Sequence, residues 1–172
     1  MNTKRALKNL GKLGKIIFYQ VLDNDITLIS DGHIVFSIYT EEFEDFKIEC
    51  FKKNELREYN LLKLFEDNKM VDIRTRKTPL SIIDNGRILC AFKSTVNNEN
   101  IFTAIDKRFI DIIDDIYDLS PWEEYTYKMN NEKNSPIISA QWAYDKFYGG
   151  FIILPVNFDI KNIVTQIMEL SD

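Results

Sequence analysis

Histidine, cysteine and glycine are scarce among the 172 residues of this sequence, and their scarcity excludes several kinds of functional site. The single histidine, His33, excludes a site built on paired histidines, and Asp31 beside it would need at least one more acid from elsewhere to bind a metal. The two cysteines, Cys50 and Cys90, lack CxxC spacing and lie in apolar contexts, which is typical of reduced, buried thiols. The six glycines are too scattered for a phosphate-binding loop. We therefore predict no metal, no cofactor and no enzymatic activity.

Long apolar runs and an excess of positive charge are also missing. No run approaches the ~18 residues that a membrane-spanning helix requires, and no signal-peptide pattern is visible. The formal net charge is -5 and the sequence pI is about 5.0, which disfavours nonspecific binding to nucleic acids. We therefore expect a cytoplasmic protein without membrane contact, in which any DNA contact comes from a local basic patch.

Apolar residues are plentiful: 45% of the chain is hydrophobic and 28% is charged, which suits one folded domain. The clearest pattern is a period-two alternation of apolar residues between Ile16 and Tyr39. Turn signals at 23–25 and 30–32 divide this stretch into three strands. The strands are Ile16–Leu22, Ile26–Ile29 and Ile34–Tyr39. The pattern predicts a three-stranded antiparallel meander.

A short helix is predicted over Thr3–Lys12, with Thr3 as N-cap and with Leu7 and Leu10 on one face. Basic residues gather on the other side, because positions three and four apart share a helix face. This basic stripe consists of Lys4, Arg5, Lys8 and Lys12. Two interpretations stay open for it: contact with DNA phosphates, or the solvated face of an amphipathic helix.

The middle of the chain predicts a second series of elements. An acidic turn at 41–46 is followed by a strand over Lys47–Phe51 and a helix over Asn54–Phe65. Three further strands are separated by Thr78-Pro79 and by a hairpin signal, Asp84-Asn85-Gly86. They are Val71–Arg76, Leu80–Ile83 and Arg87–Lys93.

The next predicted strand, Asn100–Ala104, leads into a helix over Asp106–Leu119 that Asp106 caps. Acidic residues at Asp111, Asp114, Asp115 and Asp118 are predicted to form the exposed face of this helix. A short strand is predicted at Glu123–Met129.

The last third of the chain contains an aromatic cluster and an amphipathic segment. The cluster consists of Trp142, Tyr144, Phe147, Tyr148 and Phe151. If it is exposed it forms a recognition surface, and if it is buried it caps the sheet. Asp159–Leu170 predicts an amphipathic helix, either packed on its own sheet or used as a dimer interface.

Two motifs resemble a domain of the sliding clamps, the DNA polymerase processivity factors of the beta-clamp type. The first is TLISDGH at 27–33, a strand ending in a turn that leads into the next strand. The second is the pair SPII and GGFIILPVNF at 135–138 and 149–158, which is similar to the closing hairpin of a bacterial clamp domain. The resemblance leaves 40–100 as an insertion or a rearranged middle.

This resemblance implies an α+β fold, in which antiparallel sheets pack with two or more helices. A clamp-like domain would span 1–158, followed by the C-terminal helix at 159–172. Because clamp helices face duplex DNA, the resemblance implies phosphate contacts for the basic stripe, Lys4, Arg5, Lys8 and Lys12. Because clamps bind partner peptides against their terminal strands, it implies partner contacts for Ile152, Leu154 and Val156, beside Trp142, Tyr144, Phe147 and Tyr148. A ring of such short chains would require a homo-oligomer.

The resulting functional hypothesis is a non-enzymatic, clamp-like binding protein of bacteriophage or prophage origin. It would act in DNA replication or recombination, by tethering a partner to DNA or by binding a host replication factor. The alternative is an acidic anti-defence or inhibitor protein that binds a host nuclease or a restriction-type complex. Salt-dependent DNA binding would favour the first hypothesis, and tight binding to a basic host protein would favour the second.

Overall fold

The computed structural model describes residues 2–22, 25–66, 70–96, 98–117, 126–130, 135–136, 138–144 and 147–156. These residues form four helices and eleven strands in two sheets, which confirms the predicted α+β class. The helices are α1 (Thr3–Leu13), α2 (Thr40–Cys50), α3 (Leu62–Glu66) and α4 (Lys107–Tyr117). The strands are β1 (Ile16–Val21), β2 (Ile26–Ser30), β3 (Ile34–Tyr39), β4 (Glu55–Glu58), β5 (Met70–Asp84), β6 (Arg87–Val96), β7 (Glu99–Asp106), β8 (Thr126–Asn130), β9 (Ser135–Pro136), β10 (Ile138–Tyr144) and β11 (Phe147–Ile153).

The first sheet has six strands in the order β10-β11-β3-β2-β1-β4. Its centre is the antiparallel meander β1-β2-β3, as predicted, in which Ile29 lies opposite both Tyr19 and Phe36. β11 extends the sheet antiparallel to β3, with Phe151 opposite Phe36. On the other side β4 pairs with β1 in the parallel direction, so the sheet is mixed.

The second sheet has five strands in the order β7-β6-β5-β8-β9. The predicted hairpin signal joins β5 to β6, and Asn85 and Gly86 both have positive φ, 48° and 77°. Positive φ at both central residues is what a tight two-residue hairpin turn requires. The break predicted at Thr78-Pro79 is a register shift between Lys77 and Ser81 within one long strand, because proline cannot donate to the ladder.

Two predictions for the middle of the chain are wrong. Thr40–Cys50 is one helix, α2, where the sequence predicted an acidic turn and a strand. Phe43, Phe46 and Cys50 recur at spacings of three and four, and all three pack on the main core. The helix predicted over Asn54–Phe65 is replaced by β4 and α3, because pairing with β1 holds the first part of this segment extended.

The starts of α1 and α4 are capped by side chains. The N-cap of α1 is Asn2 and not Thr3: the Asn2 side chain accepts a hydrogen bond from the Arg5 amide at 3.1 Å. Thr3 is buried and donates its hydroxyl proton to Glu42 Oε1 at 2.8 Å. Asp106 caps α4 as predicted, because its Oδ1 accepts from the Arg108 amide at 2.9 Å.

The main core lies on one face of the six-stranded sheet, under the helices. Alternate residues of the sheet, such as Ile29, Phe36 and Phe151, pack there against side chains of α1, α2 and α4 and of the second sheet. We call this the helix-covered face. The intervening residues, including Leu28, Val35 and Ile152, point to the opposite face and form a separate, smaller cluster. We call this the cleft face.

The predicted C-terminal helix over Asp159–Leu170 lies outside the described residues, and so does the predicted boundary between 1–158 and 159–172. Among the helices that the structure describes, none has the length and apolar character needed to cross a membrane.

Candidate partner-binding cleft

An apolar cleft of about 430 Å³ opens on the cleft face of the six-stranded sheet. Its floor is formed by Phe18, Val35 and Ile152, which come from three strands of the sheet. One wall is the segment that follows β4, through Tyr59, Leu61 and Leu64. The far end is closed by the turn between β2 and β3 and by the residue after β11, with lining residues Ser30, Gly32, His33 and Leu154.

The wall that follows β4 is fixed to the sheet by hydrogen bonds. The amide of Tyr59 donates to the carbonyl oxygen of Tyr19 at 3.0 Å, and the amide of Leu62 donates to Gln20 Oε1 at 2.7 Å. The Tyr59 ring meets Phe18 edge to face, with 5.8 Å between ring centroids. Leu61 is fully buried between this segment and the sheet. These contacts hold this wall of the cleft against β1.

The turn at the far end is the TLISDGH motif. Asp31 Oδ1 accepts from the amides of His33 and Ile34, at 2.9 and 3.1 Å, and Ser30 Oγ accepts from the Gly32 amide at 2.9 Å. Gly32 has a φ of 95°, which favours glycine. The amide of Leu154 donates to the His33 carbonyl oxygen at 2.9 Å. The two motifs that carried the sequence resemblance therefore meet at this end of the cleft.

The chemistry of the cleft is that of an apolar binding site. Of the described residues that line it, none is an acid, a lysine or an arginine. The Ser30 hydroxyl bonds to the Gly32 amide, while the His33 ring stacks on Phe109 with centroids 6.1 Å apart. Tyr59, Leu64 and Leu154 are 56%, 40% and 39% exposed, so the rim presents apolar surface to solvent. Such a site can take aliphatic or aromatic groups from a partner.

The residues that were predicted to bind a partner do not all lie at the cleft. Ile152 and Leu154 line the cleft. Val156 does not: its amide donates to the Ala104 carbonyl oxygen at 2.9 Å, and its side chain packs on the cluster of Leu89, Ala91 and Ala104.

The rest of the predicted partner surface lies on the hairpin of β10 and β11, where Trp142 is opposite Gly149, Tyr144 opposite Phe147, and Tyr148 opposite Ala143. These residues therefore belong to two paired strands of the six-stranded sheet. Phe151 of the same aromatic cluster is buried in the main core. The side chains of Trp142, Tyr144, Phe147 and Tyr148 are outside the described part of the structure.

Two members of the basic stripe contact one acid of α2. Lys4 Nζ lies 2.7 Å from Glu49 Oε2, and Lys8 Nζ lies 2.9 Å from Glu49 Oε1. Hydrogen bonds from Lys4 and Lys8 lower the pKa of Glu49 to about 2, and Glu49 in turn raises the pKa of Lys8. This contact holds α1 to α2.

A third member of the stripe holds α1 to α4. Arg5 forms two hydrogen bonds to the Asp115 carboxylate, one of them from Nε to Oδ2 at 2.8 Å, and the Asp115 side chain is only 8% exposed. Asp115 was predicted to be exposed, and that prediction is wrong, because Arg5 covers it. Lys12 Nζ lies 3.4 Å from Asn9 Oδ1. Much of the basic stripe is therefore engaged in contacts between helices.

The sequence did not predict the wall of the cleft that follows β4, formed by Tyr59, Leu61 and Leu64. Their segment was assigned to a helix, and the signal that places them opposite Phe18 is the parallel pairing of β4 with β1. Parallel pairing depends on a distant strand and leaves little local trace in sequence.

No cluster of three or more histidine, cysteine, aspartate or glutamate side chains suited to a metal occurs among the described residues. Cys50 and Cys90 are free thiols; Cys90 is buried, and burial raises the pKa of the half-buried Cys50. Comparison with protein-family models, with curated proteins and with solved structures finds no match to this chain.

Proposed function

We propose that this chain is a non-enzymatic, clamp-like binding protein that holds an apolar segment of a partner protein in the cleft on its six-stranded sheet. The setting we propose is DNA replication or recombination of a bacteriophage or prophage, with a replication factor of the host as the partner. The setting rests on the sequence resemblance, and the binding mode rests on the cleft.

The observation that carries the binding mode is the apolar cleft itself. Its volume of about 430 Å³ falls in the usual range for ligand sites, roughly 300–1,000 Å³, and admits more than one side chain. Ile152 and Leu154, which the clamp resemblance nominates for partner contact, both line it. Transfer of one large aliphatic or aromatic side chain from water into such a site contributes about 1.5–3 kcal/mol.

Of the two modes that the resemblance implies, the geometry favours a protein partner over DNA tethering. Lys4, Lys8 and Arg5 are in ion pairs with Glu49 and Asp115, so their charge is already partly balanced. The net charge of -5 also opposes the approach of a phosphate backbone. An apolar cleft has no comparable conflict with a peptide.

The test is selection of random 12-residue peptides on the folded protein, followed by affinity measurement with fluorescence anisotropy. We expect selected peptides to be rich in leucine and aromatic residues. Leu64→Asp and Leu154→Asp should each weaken them at least tenfold, because a carboxylate at the rim disfavours apolar burial. Ile83→Asp is the matched control: Ile83 is 80% exposed near the tip of the β5-β6 hairpin, so this change should leave affinity unaltered.

Other outcomes would contradict the proposal. Peptides whose affinity ignores Leu64→Asp and Leu154→Asp would place binding elsewhere. Selection of lysine- and arginine-rich peptides with steeply salt-dependent affinity would favour the acidic inhibitor, whose partner is a basic nuclease or restriction-type protein. Binding to duplex DNA that falls steeply with salt and is lost in Lys12→Glu would favour tethering.

A further inference from the structure

The outer side of β4 is open in the part of the chain that the structure describes. The amides of Glu55 and Tyr59 donate to the carbonyl oxygens of Lys15 and Tyr19, each at 3.0 Å. Because the peptide groups of a strand point alternately to its two sides, the backbone groups of Leu56 and Glu58 point away from β1. β4 ends the order of the six strands, and all four of its side chains are exposed. This edge therefore offers a short ladder for another strand.

The charges on β4 are arranged symmetrically about Leu56. Glu55 precedes it and Arg57 follows it, and the side chains of both lie on the face of the strand opposite to that of Leu56. In an antiparallel pair of two β4 strands centred on Leu56, each Leu56 faces its own copy. Each Glu55 then faces the Arg57 of the other copy. Leu56 occupies the hydrogen-bonded position, and Glu55 and Arg57 occupy the position where side chains approach most closely.

Other antiparallel registers are disfavoured by charge. A register centred on Glu55, Arg57 or Glu58 brings that residue opposite its own copy, and like charges directly opposite each other are destabilising. A register centred between two residues would place a residue whose N–H and C=O groups point outward opposite one whose groups point towards β1. Such a pair cannot form the ladder hydrogen bonds. The charge pattern thus selects one register of β4 with itself.

The exchange of ion-pair partners requires little rearrangement. Arg57 Nη2 now lies 2.7 Å from Glu55 Oε1 within the same strand, with both side chains about half exposed. An exposed pair of this kind contributes little to stability, so replacing it by the equivalent pair across an interface carries little penalty. Glu55 and Arg57 already lie on the same face of β4, and the new pair would form on that face.

We propose that β4 is the interaction surface for a second copy of this chain, which pairs antiparallel with it about a twofold axis at Leu56. Short, charged edge strands ordinarily resist pairing with other proteins. Here the same charges exclude foreign strands and admit an identical one. The contact is isologous, so it closes at two copies and does not build a ring. The proposal is independent of what the cleft binds.

The test is sedimentation equilibrium from about 1 μM to about 1 mM, a span that covers weak and moderate dimers. We expect a reversible dimer for the unaltered chain. Glu55→Arg and Arg57→Glu should each weaken dimerisation at least tenfold, because each brings like charges together across the axis. An equimolar mixture of the two variants should form a heterodimer with affinity within about threefold of the original, because opposite charges face each other again.

Controls of matched charge separate the edge from overall electrostatics. Asp45→Arg on α2 and Lys107→Glu on α4 change net charge as Glu55→Arg and Arg57→Glu do, but at solvent-accessible positions on helices, and both should leave the dimer intact. Recovery in the mixture also proves that both single variants are folded. A monomer throughout the range would overturn the proposal. A dimer that survives both single variants, or two variants that fail to associate on mixing, would overturn it equally.

Discussion

The two faces of the six-stranded sheet differ in how completely they are covered. On the helix-covered face, Ile29, Phe36 and Phe151 are fully buried under helices and the second sheet. On the cleft face, in the part of the chain that the structure describes, Val35 and Ile152 pack against one crossing segment, and a cavity remains beside it. A strand such as β3, with five successive buried residues, needs a cover on both sides. The incompletely covered side is therefore the one where an external apolar group gains most.

The comparison predicts its largest effect for a core phenylalanine. Phe36→Ala on the helix-covered face should lower the free energy of unfolding by about 3–5 kcal/mol, because the surrounding helices cannot collapse into the space. Phe18→Ala on the cleft face should lower it by less than half as much, because Phe18 borders a cavity and is half-buried. Urea denaturation of both variants at pH 7 measures the difference, and equal losses would contradict the distinction between the faces.

A smaller effect is expected at the hydroxyl of Tyr117, under the helix-covered face. It accepts from the Ser37 amide at 2.9 Å and lies 2.7 and 3.0 Å from the carbonyl oxygens of Ser37 and Gly150. These bonds continue the contact of β3 with β11 where the ladder itself stops, and burial raises the pKa of the Tyr117 hydroxyl. Tyr117→Phe should destabilise by about 1–3 kcal/mol, because it leaves buried backbone groups without this partner.

The matched control for that change is Tyr39→Phe, since Tyr39 is 61% exposed at the end of β3, the strand that contains Ser37. Its free energy of unfolding should stay within about 0.5 kcal/mol of the original. If the two substitutions had the same effect, the hydroxyl bridge would have no special role.

Substitution at the rim of the cleft should separate stability from binding. Leu154→Asn should lower the free energy of unfolding by at most about 1 kcal/mol, because the side chain is already partly in water. The affinity for selected apolar peptides should nevertheless fall about tenfold, since the rim contact is lost. Thermal melting and anisotropy on one preparation test this, and a stability loss as large as that of Phe36→Ala would show that the rim belongs to the core.

The smallest effect, and one that depends on pH, is expected at Glu49, which joins α1 and α2 above the helix-covered face. The pKa of Glu49 in the folded protein, about 2, lies below its ordinary value of 4.5. Its stabilising contribution is therefore complete above pH 4.5 and is lost as the pH falls towards 2. Glu49→Gln should be slightly less stable than the unaltered protein at pH 7 and indistinguishable from it near pH 2. A difference that persists at pH 2 would assign the effect to packing.

Local signals predicted the meander and the β5-β6 hairpin, because alternation and an Asn-Gly turn act over few residues. They did not predict β4, whose extended form depends on β1, or α2, whose acidic residues obscured the spacing of Phe43 and Phe46. The contact of Arg5 with Asp115 joins residues 110 positions apart and has no sequence signature. The family resemblance implied partner contact for Ile152 and Leu154, and both line the cleft. The wall that begins at Tyr59 was missed, because its position depends on the pairing of β4 with the distant β1.

The position of β11 beside β3 also determines when the six-stranded sheet can be completed during synthesis. β1 to β4 leave the ribosome early, but the open edge of β3 must wait for Phe147–Ile153, roughly a hundred residues later. At the usual elongation rate of ~5–20 residues per second, that wait lasts roughly 5–20 s. Throughout it, the nascent chain carries an apolar strand edge that can pair with other chains. Slower translation would therefore increase aggregation during synthesis, even though the finished sheet buries that edge.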